Sequence, residues 1–146
     1  MLQSRVMIFS LLDSALVVVA VLLWPIRIVR KWAFHNSRLS VWTGAPIINM
    51  VMNAKAEQLL GTRTLTVVSH TYFITNKFDF NLRPPARSQR LGLLLQYLAC
   101  LAICVMADRV HVYVDGGILP QKGPRLLNRT ELWLYSLMGL PVFAWT

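Results

Sequence analysis

The chain predicts an α/β fold, a doubly wound parallel sheet behind one N-terminal membrane helix. Three observations carry that prediction. Short β-branched and aromatic runs (LSVWT, TLTVVSH, VHVYV and PVFAWT) recur along the sequence, separated by segments long enough for crossovers, which is the pattern of parallel strands joined through helices. PVFAWT is apolar on both of its faces, as a strand covered on both sides requires. Ahead of all of them, Val6 to Ile26 forms an apolar run of about the length that crosses a hydrocarbon core.

Length and composition set the outer limits. A chain of 146 residues amounts to about one domain. It is 55% hydrophobic with a mean hydropathy of +0.50, yet it carries a formal net charge of +9 from only 14% charged residues. That combination fits a membrane rich in anionic lipid, or a phosphate-bearing ligand. Nucleic acid is not an expected partner, because the basic residues are scattered, clustering only at Arg27, Arg30 and Lys31 and at Arg83, Arg87 and Arg90.

Two units are expected: residues 1–36, a membrane anchor with its basic flank, and residues 37–146, the sheet domain. In the anchor, Asp13 is the one charged interruption. No small-residue cleavage site follows the apolar run, which leads instead into Trp24, Pro25 and the basic group Arg27, Arg30 and Lys31. This is an uncleaved anchor, either single-pass or, with Pro25 bending it, monotopic; the alternative is a buried core helix, since Asp13 shortens the clean apolar stretch. Its basic flank places the rest of the chain on the cytoplasmic side, with Trp24 and Trp32 at the headgroups.

In the second unit, Leu39 to Thr43 is the first strand. Gly44-Ala45-Pro46 turns into a helix in which Ile48, Met52 and Leu59 recur at helical spacing and which Gly61 ends. Thr64 to His70 is the second strand. An aromatic loop, TYFITNKFDFNLRPPARSQ, follows and is closed by Pro84-Pro85; a loop of that length is a functional or membrane-facing one. Arg90 to Ala107 is a long apolar helix, VHVYV the third strand, DGGILPQKGPRLLN a loop, Thr130 to Gly139 a helix, and PVFAWT the last strand. Cys100 and Cys104, four apart on one helix face, are small core residues, since no His or carboxylate stands at ligand spacing beside them. Asn128-Arg129-Thr130 matches a glycosylation sequon but reads as the start of a helix.

In open α/β sheets ligands bind beyond the carboxyl ends of the strands. Three loops therefore hold the candidate site: Thr43-Gly44-Ala45-Pro46, Ser69-His70-Thr71-Tyr72 and Asp115-Gly116-Gly117. No G-x-G-x-x-G, P-loop or nucleophile elbow occurs, so no dinucleotide cofactor is expected. His111 alternates with Val110 and Val112 inside VHVYV and reads as a packed, hydrogen-bonded core histidine.

DRVHVYVDGG, followed by a helix and then GLPVFAWT, resembles the amino-terminal half of GT-B glycosyltransferases. Asp108, Val110 and His111 match the family's Asp-x-Val/Ile-His strand, and Gly139, Pro141, Val142 and Phe143 match its Gly-x-Pro turn and following strand. WTGAPIINMVMNAKAEQLLG is similar to the first β-loop-α unit of bacterial polysaccharide members. The resemblance spans about Ser37 to Thr146. It implies an incomplete Rossmann-like sheet at the cell inner membrane that grips a lipid-linked or glycan acceptor. The nucleotide-sugar donor would bind a C-terminal half that this chain lacks, so the chain is expected to be a fragment or one subunit of a split enzyme, inactive alone and with no cofactor in this half. Glycosyl transfer needs a base for the acceptor hydroxyl. His70 and Asp115 are the candidates, with Thr43, Gly44, Ala45, Tyr72, Asp79, Gly116 and Gly117 as acceptor-binding positions. The last strand is expected beside LSVWT. Two other classes stay open: a non-catalytic membrane-anchored subunit that recruits a donor-binding partner, and a small membrane protein in which Leu91 to Ala107 is a second span.

Overall fold

A computed structural model of the chain describes residues 2–34, 38–44, 48–69, 77–82, 88–113, 117–120 and 128–145. Nine elements follow in order among them: α1 (Leu2–Ala33), β1 (Leu39–Thr43), α2 (Ile48–Leu59), β2 (Arg63–Val68), β3 (Phe80–Asn81), α3 (Gln89–Met106), β4 (Arg109–Tyr113), α4 (Arg129–Leu137) and β5 (Val142–Trp145).

The five strands make one sheet in the order β3-β2-β1-β4-β5, every pair parallel. β1 is central, with Thr43 in register with Val67 of β2 on one side and Val112 of β4 on the other. The order reverses beside β1, as expected, but the last strand is not its neighbour. β5 pairs with β4, Val110 facing Val142 and Tyr113 facing Trp145, because β4 already occupies the free side of β1. Burial agrees: β4 is buried at Val110 and Val112, whereas Phe143 and Trp145 of β5 are exposed.

Alternation along the strands divides the core. Val41, Val67, Val110 and Val112 face α1, α3 and α4, through Leu16 and Ala20, through Tyr97, Cys100, Ile103 and Cys104, and through Leu134 and Tyr135. Trp42, Val68 and Tyr113 face the other way, onto Met50 and Ala54 of α2. The buried stripe of α2 is therefore Met50, Val51 and Ala54, while Met52 and Leu59, expected to be inside, are exposed. Glu57 continues that buried side, and its carboxylate accepts from Trp42 Nε1 at 2.7 Å and pairs with Arg109 at 3.1 Å. Both cysteines are buried and unpaired, and α3 is a packed core helix of the sheet rather than a detached second span.

The anchor differs most from expectation. α1 continues from Leu2 through Pro25 to Ala33 without a break, with the proline on its exposed side. Asp13, Leu16, Ala20 and Arg27 make one buried stripe. Tyr97 of α3 and Thr130 of α4 donate to the two carboxylate oxygens of Asp13 at 2.6 and 2.7 Å. Arg27 is 2% exposed and donates to the carbonyls of Cys104 and Ala107, where α3 ends, and of Met138, where α4 ends, at 2.7–2.9 Å. Helix ends leave carbonyls without intrahelical partners, and one guanidinium fork serves two such ends. Arg27, read from sequence as part of the basic flank, is thus an internal cap.

Candidate functional site

Because every strand runs the same way, the carboxyl ends Thr43, Val68, Asn81 and Tyr113 share one rim of the sheet. Thr43 ends the central strand fully buried, its hydroxyl without a partner among the described residues. Gly44 leaves that strand at φ 118°, a conformation open to glycine and strained for any side chain. The strand can therefore turn sharply at the point where the sheet order reverses. On one side Ser69 closes β2, and its hydroxyl donates to the carbonyl of Gly117 across 3.4 Å. Ser69 and Gly117, which follow β2 and β4 in the chain, therefore meet.

The segment 117–120 is fixed from beneath. Asn128 caps α4, its side-chain oxygen accepting from Thr130 N while its amide donates to the carbonyl of Pro120 at 2.9 Å. Glu131, three residues past the cap, is fully enclosed and turns its carboxylate to the loop and to Tyr135, one turn further along its own helix. It accepts from Ile118 N at 3.0 Å, Leu119 N at 2.8 Å and the Tyr135 hydroxyl at 2.8 Å. Burial pushes its pKa up, opposed by those three donors. A Cβ on Gly117 would overlap the Glu131 carboxylate, so only glycine lets the loop come this close.

Of the predicted site residues, Thr43, Gly44 and Gly117 lie on this rim. His70, Ala45, Tyr72, Asp115 and Gly116 fall outside the described residues, although Ser69 and Gly117, the sequence neighbours of His70 and Gly116, are the two that meet. Asp79 stands elsewhere, on the strand side of the aromatic loop. Its Oδ2 accepts from both the backbone and the hydroxyl of Thr66 at 2.7 Å, and its own N–H donates back to Thr66 Oγ1 at 2.8 Å. That reciprocal clasp starts β3 against β2 and occupies one of its carboxylate oxygens. Among the described residues no group of His, Cys, Asp and Glu is arranged to hold a metal ion.

His111 is away from the rim, in mid-strand on the α2 side, as its alternation predicts. It stacks on Trp42 at 3.9 Å between ring centres and on Phe143 at 5.0 Å, and its Nδ1 accepts from Trp145 Nε1 at 3.0 Å. The acceptor role puts the proton of the neutral ring on Nε2, which lies 3.9 Å from Glu57, beyond hydrogen-bond reach. Burial lowers its pKa, with the charge of Glu57 acting against it. Glu131 is the residue that sequence reasoning missed. Its signal was the Asn-x-x-Glu spacing of a capping box, which marks the helix start but not the loop the glutamate would hold.

Comparison with protein-family models, with curated proteins and with solved structures finds no match to this chain. The class defined by coordinates is therefore a five-stranded parallel α/β sheet with an apolar N-terminal helix, one helix among the described residues being long and apolar enough to cross a membrane.

Proposed function

We propose that the chain is the acceptor-side half of a glycosyltransferase, Rossmann-like in topology, working at the cytoplasmic face of a cell membrane. The observation that carries the reading is the strand order 3-2-1-4-5, with Gly44 at positive φ where the order reverses and Ser69 in contact with Gly117. Ligands of open α/β sheets bind at that place, and the GT-B-like motifs supply the chemistry. In this reading His70 or Asp115 takes the proton of the acceptor hydroxyl. Thr43, Gly44, Ala45, Tyr72, Gly116 and Gly117 line the acceptor site, with Asp79 behind them holding the aromatic loop to β2. The acceptor is a lipid-linked sugar or growing glycan. The nucleotide-sugar is held by a second domain, on the same polypeptide or on a partner subunit.

A non-catalytic role, recruiting the donor-binding partner, is favoured by one feature: Phe143 and Trp145 are exposed on β5, which has no outer neighbour among the described strands. Equilibrium dialysis of the purified chain in detergent micelles separates the readings. Polyprenyl-phosphate-linked sugars should bind saturably, Tyr72→Ala should weaken them about tenfold, the loss of one anchoring aromatic, and nucleotide-sugars should be neither bound nor turned over. Turnover by residues 1–146 alone, or donor binding without acceptor binding, overturns the proposal. Absence of both leaves the recruiting role in its place.

A further inference from the structure

α1 meets the length and hydropathy of a membrane span, but its partners are inconsistent with an upright pose. Asp13 and Arg27 fasten it to both α3 and α4 at points about 21 Å apart, taking 1.5 Å of rise per residue. Between those points Leu16 and Ala20 belong to the same core as Val41, Val110 and Val112 of the sheet. A helix upright in the bilayer would carry α3, α4 and the sheet they cover into hydrocarbon, where open strand edges and polar loops are not tolerated. Detaching α1 instead would strip Asp13 and Arg27 of their partners and turn both charges toward lipid, which is costly in the bilayer interior.

The outer side of the helical layer is apolar across all three helices. Leu22 and Trp32 of α1 are 70% and 85% exposed, Leu94 and Leu98 of α3 are more than half exposed, and Trp133 and Leu137 of α4 are also exposed. Where α1 ends, Lys31 and Arg38 border an open cavity of about 440 Å³ that Asp108 and Arg109 also line. Asp108 is bound to Leu39 N and Arg30, and Arg109 to Glu57 and Thr62. No side-chain hydrogen bond or ion pair among the described residues engages Lys31 or Arg38, and both are exposed. An apolar face bordered by unpaired cations is complementary to an anionic bilayer surface, the arrangement of a helix that lies in the interface.

We infer that the chain is monotopic: α1 lies in the plane of one leaflet, the α1–α3–α4 face is sunk into anionic lipid, and Lys31 and Arg38 bind lipid phosphate at its border. The inference does not depend on sugar transfer, so failure of one reading leaves the other standing.

The full chain is added to sealed vesicles of phosphatidylcholine with about one-third phosphatidylglycerol, and each end of α1 is probed with a membrane-impermeant maleimide on Gln3→Cys and on Phe34→Cys. The native cysteines are buried and give little background. In-plane binding predicts equal labelling of both positions from outside; protection of one end alone overturns it in favour of a span. In single-tryptophan variants, lipids brominated near the headgroup should quench Trp133 as well as Trp24; quenching of Trp24 alone also overturns it. Lys31→Ala with Arg38→Ala should lower affinity for the anionic vesicles roughly 25-fold, about fivefold per cation, without changing binding to neutral ones. A chain that ignores vesicles and sediments as a dimer with Trp133 protected would show that a second copy covers this face, and would refute the lipid assignment.

Discussion

Arg27→Ala tests whether the residue is an internal cap or a headgroup cation. The wild-type side chain makes three short bonds from a charged donor to backbone carbonyls of two helix ends. Hydrogen bonds to charged groups are worth about 1.5–3 kcal/mol each, but they share one guanidinium and are not additive. Its Nη2 has no partner among the described residues, so part of its desolvation cost is not recovered. Truncation should therefore cost about 3–5 kcal/mol, the range for dismantling a buried charged network. At roughly 3 °C per kcal/mol for a chain of this size, the midpoint should fall by about 9–15 °C in far-ultraviolet circular dichroism melts in mild detergent. Arg27→Lys keeps the charge but not the fork, and a point ammonium cannot serve both helices with the same geometry, so its loss should be smaller than that of alanine but measurable. Lys31→Ala, at an exposed position on the same helix, should stay within about 0.5 kcal/mol. If Arg27→Ala melts like Lys31→Ala and changes only vesicle affinity, Arg27 is at the headgroups and the docking of α1 described above is wrong.

Two further perturbations bear on the loop beneath the rim. Burial raises the Glu131 pKa above its usual 4.5, so the native chain holds this proton more tightly than the unfolded one; its contribution to stability is full below about pH 4.5 and is lost as pH rises through the native value. Urea midpoints from pH 4 to pH 8 should thus decline more for wild type than for Glu131→Gln, and parallel curves would contradict the burial. Gly117→Ala should cost about 1–3 kcal/mol by forcing a methyl into the Glu131 carboxylate, and a double-mutant cycle with Glu131→Ala should show the two losses to be less than additive.

Four of the five strands and the apolar helix from residue 90 were legible because each depends on local periodicity, whereas the two-residue β3 lies inside the stretch read as an aromatic loop and is too short to show any period. Strand order was only half legible. The crossover through α3 brings β4 to the open side of β1, and nothing within PVFAWT says whether that side is already taken. The partners of α1 were hidden for another reason. Asp13 reads as a flaw in an anchor and Arg27 as its flank until partners 84 and 111 positions away come into contact, and no window of sequence contains both members of such a pair. Asp79 illustrates the same limit at short range: an acidic residue in an aromatic loop has the composition of a site, but the Thr66 clasp is visible only once β2 and β3 are side by side.

α4 belongs to two mechanical circuits at once. Its first residues and its C-cap carbonyl are fastened to α1, through Thr130 on Asp13 and Met138 on Arg27, and between those rivets Glu131 grips the segment whose Gly117 carbonyl meets Ser69 at the rim where the strands end. α4 is therefore a brace shared by the contacts that hold α1 and those that hold the segment 117–120. A substitution that displaces α4 is therefore expected to loosen both at once, the hold on α1 and the meeting of Ser69 with Gly117.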